Sequence, residues 1–166
     1  MGLMTRLSNV IEKDFTLDYQ AQDKDAAFLL FDVFHADESW AKIEEFSALT
    51  PDLACAILAE SGRVASQVLA PLNEIGDTYG CEWNDGEVTT PPGFKEGFSE
   101  LTQGGWLGLS GNPAFGGQGM PKSLGCLVEE MFWAANSSLY LYGTLTVGAC
   151  LCLDAHGSAE QKQTYL

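Results

Sequence analysis

The sequence predicts an all-α fold, about six helices packed around a central apolar helix. Apolar residues recur at three-to-four spacing through residues 51–72 and again through 122–135. Residues 139–153 are apolar all round, the pattern of a helix covered by neighbours on every side. No convincing succession of alternating strands competes with these helices.

The elements follow in order. Residues 1–22 read as an arm, with only weak alternation around Phe15-Thr16-Leu17-Asp18-Tyr19, and residues 23–166 as the helical domain. Asp23 is placed to cap a helix over 24–35, whose Phe28, Leu29, Phe31, Val33 and Phe34 give a wide apolar face. A second short helix is expected over 39–46. Thr50-Pro51-Asp52 is a strong helix start: a capping hydroxyl, proline at the first position, then an acid. Leu53, Ile57, Val64, Val68 and Leu72 form its expected buried stripe, widened by Ala54, Leu58, Ala65 and Leu69. Pro71 should kink or end this helix near Leu69 unless the chain bends and continues, and Gly76 and Gly80 close it before Cys81.

Asn84-Asp85-Gly86 signals a turn between two tiny strands, Glu82-Trp83 and Glu87-Val88. Thr90-Pro91-Pro92-Gly93 forbids helix, and a further helix is expected over 93–103. After the glycine-rich stretch 104–119, Leu124, Leu127, Val128, Met131 and Phe132 share one face of a helix over 122–135. The apolar helix then ends at His156-Gly157. Ser158 caps a last helix, with Gln161 completing a capping box.

The totals bound the function. Apolar residues make up 46% of the chain and charged residues 19%, a globular balance. The net charge of −15 repels phosphate backbones and anionic lipid, so neither nucleic acid nor membrane is an expected partner. The apolar segment 139–153 reads as too short to span a bilayer. The start lacks a signal peptide's apolar stretch, and the expected location is cytoplasmic. Five cysteines without regular spacing give no disulfide framework; Cys55 and Cys126 read as small core residues. His35 and His156 stand far apart, so no metal site is expected.

Few residues suggest chemistry. Gly104-Gly105-Trp106-Leu107-Gly108 and Gly116-Gly117-Gln118-Gly119 lack both nucleotide-loop spacings and a preceding strand, and read as structural turns. Glu129 and Glu130 are adjacent on a helix, roughly 100° apart, so at most one faces any site. His156 suits a helix C-terminus. Tyr140, Tyr142, Thr144 and Thr146, with Gly143 and Gly148, read either as satisfied hydroxyls and close helix contacts or as the lining of a ligand slot.

Several segments together resemble the amino-terminal domain of acyl-CoA dehydrogenases. They are Val68-Leu69-Ala70-Pro71-Leu72-Asn73 with Gly76-Asp77, Val88-Thr89-Thr90-Pro91-Pro92-Gly93-Phe94 and Gly105-Trp106-Leu107-Gly108. Pro113-Ala114-Phe115-Gly116-Gly117-Gln118-Gly119, Glu129-Glu130 and the ending His156-Gly157-Ser158-Ala159-Glu160-Gln161-Lys162-Gln163-Thr164-Tyr165-Leu166 follow in the same order. Tyr19, Asp25 and Phe28 are similar to a short extra segment of one bacterial branch.

The resemblance implies a three-domain FAD enzyme that oxidises acyl-CoA to the trans-2-enoyl-CoA, passes electrons to electron-transferring flavoprotein and forms homo-oligomers. It implies that this chain stops before the flavin-binding β-domain and the domain carrying the catalytic glutamate, and is inactive alone. Matching the His156–Leu166 ending to the family places Leu141, Thr144, Leu145 and Gly148 along the acyl slot, with Gly148 leaving it open at depth. No catalytic or cofactor-binding residue is expected here. Coenzyme A's phosphates would need bases that this chain hardly supplies. A stand-alone helical protein-interaction module, or an acyl-chain-binding module without catalysis, is the alternative.

Overall fold

The computed structural model describes residues 19–166. Most of the expected arm therefore lies outside the described residues. The fold is all-α apart from one hairpin, as the sequence predicts.

The chain enters through Tyr19, whose hydroxyl donates to the Met131 carbonyl at 3.1 Å, and Ala21, whose N–H donates to Ser66 Oγ at 3.1 Å. Helix α1, Asp23–Phe28, widens into a π turn over Leu29–Val33. Asp23 lies inside its first turn rather than capping it; Gln22 holds the cap position without a side-chain bond. His35 takes a left-handed conformation (φ 47°) and separates α1 from α2, Ala36–Trp40. The expected helix over 39–46 is instead α2 followed by a single 3₁₀ turn, Glu44–Phe46.

Thr50 caps α3, Pro51–Val64, by accepting from the Leu53 N–H. Pro71 does not end the rod. A π turn over Ala65–Leu69 carries α3 into α4, Ala70–Tyr79, with the Ala70 N–H bonded to the Ala65 carbonyl. The wider turn makes room for a ring that would otherwise strike the preceding carbonyl. The buried side of α3 is Ala54, Leu58, Ser61, Gly62 and Val64, continued by Ala65 and Leu69, while Leu53 is 48% exposed. The residues expected to flank the stripe form its centre. A stripe this broad leaves its midline undetermined by spacing alone.

Strands β1, Glu82–Asn84, and β2, Glu87–Thr89, pair antiparallel around Asp85 and Gly86, both at positive φ. Helix α5, Phe94–Gln103, follows the prolines. Helix α6, Lys122–Ala135, buries Leu124, Val128, Met131, Phe132 and Ala135 against α3. Trp40 Nε1 donates to Ser123 Oγ at 3.0 Å, tying α2 to the start of α6.

Asn136 joins α6 to α7, Ser137–His156. Fully buried, it accepts from the Leu139 N–H at 3.0 Å and donates to the Leu69 carbonyl at 3.1 Å. One side chain thus caps α7 and ties it to the π turn of the α3–α4 rod. The Ser158–Gln161 capping box starts α8, Ala159–Tyr165, as expected.

Helix α7 departs from the expected packing. Only Leu139, Tyr140 and Gly143 are buried, and Leu145 is 79% exposed. One side rests on the body and the others face outward. Apolar composition records the surroundings a helix prefers, not which segment supplies them. At 20 residues, α7 is also longer than its apolar stretch suggested. It and the rod Pro51–Tyr79 are long and apolar enough to cross a membrane by length and composition, a test that core helices also pass.

Cys55 and Cys126, expected in the core, are exposed. Each follows a buried small residue, Ala54 and Gly125, and one helical step turns it outward.

Candidate functional site

The glycine-rich segment packs against α7 and encloses a cleft. Its backbone is knitted to itself: the Gln118 N–H donates to the Gly108 carbonyl, that of Gly119 to Gly111, and that of Met120 to Leu109, each within 3.0 Å. The N–H groups of Gly105, Gly108, Gly111, Gly116 and Gly117 are also spent on local carbonyls. At Gly117 an added Cβ would lie 2.1 Å from the Gly111 carbonyl carbon, so these two turns meet backbone to backbone. The structural reading of these glycines therefore holds: the amides a phosphate would need are committed elsewhere.

The cleft has a volume of about 450 Å³. Phe98 and Thr102 of α5, Trp106 and Leu107 of the glycine segment, Val128 and Glu129 of α6, and Tyr140, Gly143, Val147, Cys150 and Leu151 of α7 form its walls. Leu107 packs directly onto Gly143, where an added Cβ would meet Leu107 Cδ1 at 2.6 Å. Trp106, Phe132, Tyr140 and Trp133 stack ring against ring behind the cleft, with centroids 5.4–5.5 Å apart. These edge and tilted contacts fix the wall.

The polar groups divide into paired and unpaired. Glu129 faces Lys122 at 3.7 Å, while Glu130 is exposed, so one carboxylate of the pair turns to the cleft and the other to solvent. Asp154 accepts from Asn112 Nδ2 at 3.1 Å and lies 4.0 Å from Lys162. Ser110 Oγ is buried with no hydrogen-bond partner among the described residues. Burial, reinforced by the charge of Glu129, raises the Tyr140 phenol well above its usual range. The Tyr142 phenol is also raised, first by its contact with Cys81 Sγ at 3.7 Å and then by burial.

The four residues expected along an acyl slot occupy the opposite, outward side of α7. Leu141 is half exposed, Leu145 mostly exposed, and a Cβ added at Gly148 would meet nothing within 4 Å. Thr144 Oγ1 donates to the Leu141 carbonyl at 3.2 Å, one turn back. None of the four lines the cleft. Of the hydroxyl-and-glycine set, Tyr140, Tyr142, Gly143 and Thr146 line it instead. The sequence offered a ligand slot on this helix as one of two readings of that set, but read the glycine-rich segment only as turns and so missed the opposite wall of Trp106 and Leu107. No catalytic base, nucleophile or phosphate cradle is assembled among the described residues, and they do not by themselves fit a flavin's pyrophosphate.

Fold and site define an all-α domain that presents apolar surfaces on both sides of one long helix. Residues 79–166, just over half of the chain, match the family model for the acyl-CoA dehydrogenase N-terminal domain. Over 90% of its length the chain is 35% identical to a 3-methylmercaptopropionyl-CoA dehydrogenase of Ruegeria pomeroyi, and over 87% it is 29% identical to a broad-specificity linear acyl-CoA dehydrogenase of Mycobacterium tuberculosis. A butyryl-CoA dehydrogenase of Syntrophomonas wolfei is 30% identical over 67% of the chain. The chain belongs to the acyl-CoA dehydrogenase family. It spans 18–25% of the length of these three relatives.

Proposed function

We propose that this chain acts as the amino-terminal helical domain of a flavin-dependent acyl-CoA dehydrogenase and contributes one wall of the acyl slot. The observation that carries this reading is the outward side of α7. There Leu141 and Leu145 lie bare beside the open position at Gly148, an apolar strip that this chain does not cover. The relatives' names share the acyl-CoA thioester and differ in the acyl group. The reading takes over only the shared part.

In this proposal the whole enzyme oxidises acyl-CoA to the trans-2-enoyl-CoA in the cytoplasm, works as a homo-oligomer and delivers electrons to electron-transferring flavoprotein. FAD and the proton-abstracting carboxylate are held by the parts of the enzyme outside this chain, and the 166 residues alone are inactive. That division agrees with a domain whose glycine amides are already bonded to one another.

The test is Gly148→Phe in the whole enzyme, read as kcat/KM across acyl-CoA chain lengths. The proposal expects a loss of at least about tenfold on long acyl groups with short ones retained, since a pocket contact of one or two methylenes is worth roughly tenfold or more. An unchanged chain-length profile would overturn the placement of the slot.

A further inference from the structure

We propose that the cleft between the glycine-rich segment and the inner side of α7 is a ligand site of its own, for an uncharged, mostly apolar small molecule. This does not rest on the acyl slot, which the previous reading puts on the other side of the same helix.

Two features carry it, the apolar volume and the pairing of its charges. The volume of about 450 Å³ lies in the range of small-molecule sites, and Phe98, Trp106, Leu107, Val128, Val147 and Leu151 supply apolar walls. Ser110 Oγ is packed against Gly125 and closed off from the cleft, so the lining offers a ligand no free polar side chain there. The charges at the cleft are already matched: Lys122 with Glu129, and Lys162 and Asn112 with Asp154. A carboxylate ligand would find no unpaired cation here and two carboxylates nearby. A cationic ligand would have to displace a lysine. An uncharged molecule meets neither obstacle.

The experiment titrates the 166-residue chain with three probes of equal chain length: 1-decanol, decanoate and decyltrimethylammonium. Binding is read from tryptophan emission, because Trp106 stands in the wall, and from protection of Cys150 against alkylation, located by peptide mass spectrometry. Cys152 is exposed and outside the lining, and serves as the internal control.

Saturable binding of decanol that protects Cys150 but not Cys152 is expected, with both ions at least about tenfold weaker, because a charge brought into an apolar cleft loses water and finds no free counter-charge. Cys150→Phe should fill the site and abolish binding. If that variant misfolds by circular dichroism, the protection pattern in the unaltered chain decides. Equal or tighter binding of either ion would overturn the proposal. So would a lack of saturation by decanol or equal protection of the two cysteines.

Discussion

Replacing Asn136 by alanine removes three hydrogen bonds at once, and the structure allows the loss to be sized. The first is the N-cap of α7, the bond from the Leu139 N–H at 3.0 Å. Such caps are worth about 1 kcal/mol. The second is the bond to the Leu69 carbonyl at 3.1 Å, made where both groups are shielded from water. A buried bond of this kind contributes about 1–1.5 kcal/mol. The part-buried bond from Ser138 Oγ at 2.9 Å adds up to about 0.5 kcal/mol, so together the loss should be about 2–3 kcal/mol, a fall in the urea midpoint of roughly 1–1.5 M for an m-value near 2 kcal/mol/M. The assay is urea unfolding followed by far-ultraviolet circular dichroism. Asn136→Asp separates the two parts. It keeps the oxygen that accepts from Leu139 and Ser138 but sets an anionic oxygen against the Leu69 carbonyl. It should be worse than alanine at pH 7 and recover as acid protonates it. Ser158→Ala, which loses only the exposed cap of α8, should cost no more than about 1 kcal/mol. If Asn136→Ala costs no more than Ser158→Ala, the cross-link between α7 and the rod is not holding the fold.

Three further outcomes follow from named contacts. Gly117→Ala should cost 2 kcal/mol or more by thermal or urea unfolding, at about the upper part of the overpacking range, because the added carbon meets Gly111 backbone; Gly148→Ala, open on every side, should instead stabilise by up to about 1 kcal/mol. Tyr140 has a folded pKa raised above its ordinary 10.0, so its stabilising effect is complete below pH 10 and is lost as pH rises beyond it. Unfolding midpoints between pH 8 and 11 should fall more steeply for the unaltered chain than for Tyr140→Phe, and parallel curves would refute the assignment. A maleimide should label Cys55, Cys81, Cys126 and Cys152 in the folded protein without a change in its circular dichroism.

What the sequence made legible was local. The cap at Thr50, the capping box at Ser158 and the turn at Asp85-Gly86 each depend on neighbouring residues, and each stands where spacing put it. The span of α6 was equally readable, because a narrow stripe names its own buried side. Legibility failed where the answer lay across space. Nothing near Pro71 announces that a π turn will absorb it, and nothing near Asn136 announces the Leu69 carbonyl. The burial of α7 was misjudged because uniform apolarity does not say who the neighbours are. The candidate site shows the same limit. Gly143 was marked as a point of close approach, but only the fold reveals that Leu107 is what approaches.

The self-bonded glycine segment has a kinetic consequence. Glycine-rich stretches ordinarily exchange their amide protons almost as fast as a free peptide. Here the amides of Gln118, Gly119 and Met120 bond across to the carbonyls of Gly108, Gly111 and Leu109, so none is released until the two turns part together. Their exchange should be slow and nearly uniform, the behaviour of a small cooperative unit. The cleft wall would then open as one panel. Entry and exit of anything held behind it would be timed by that opening, not by the jostling of single side chains.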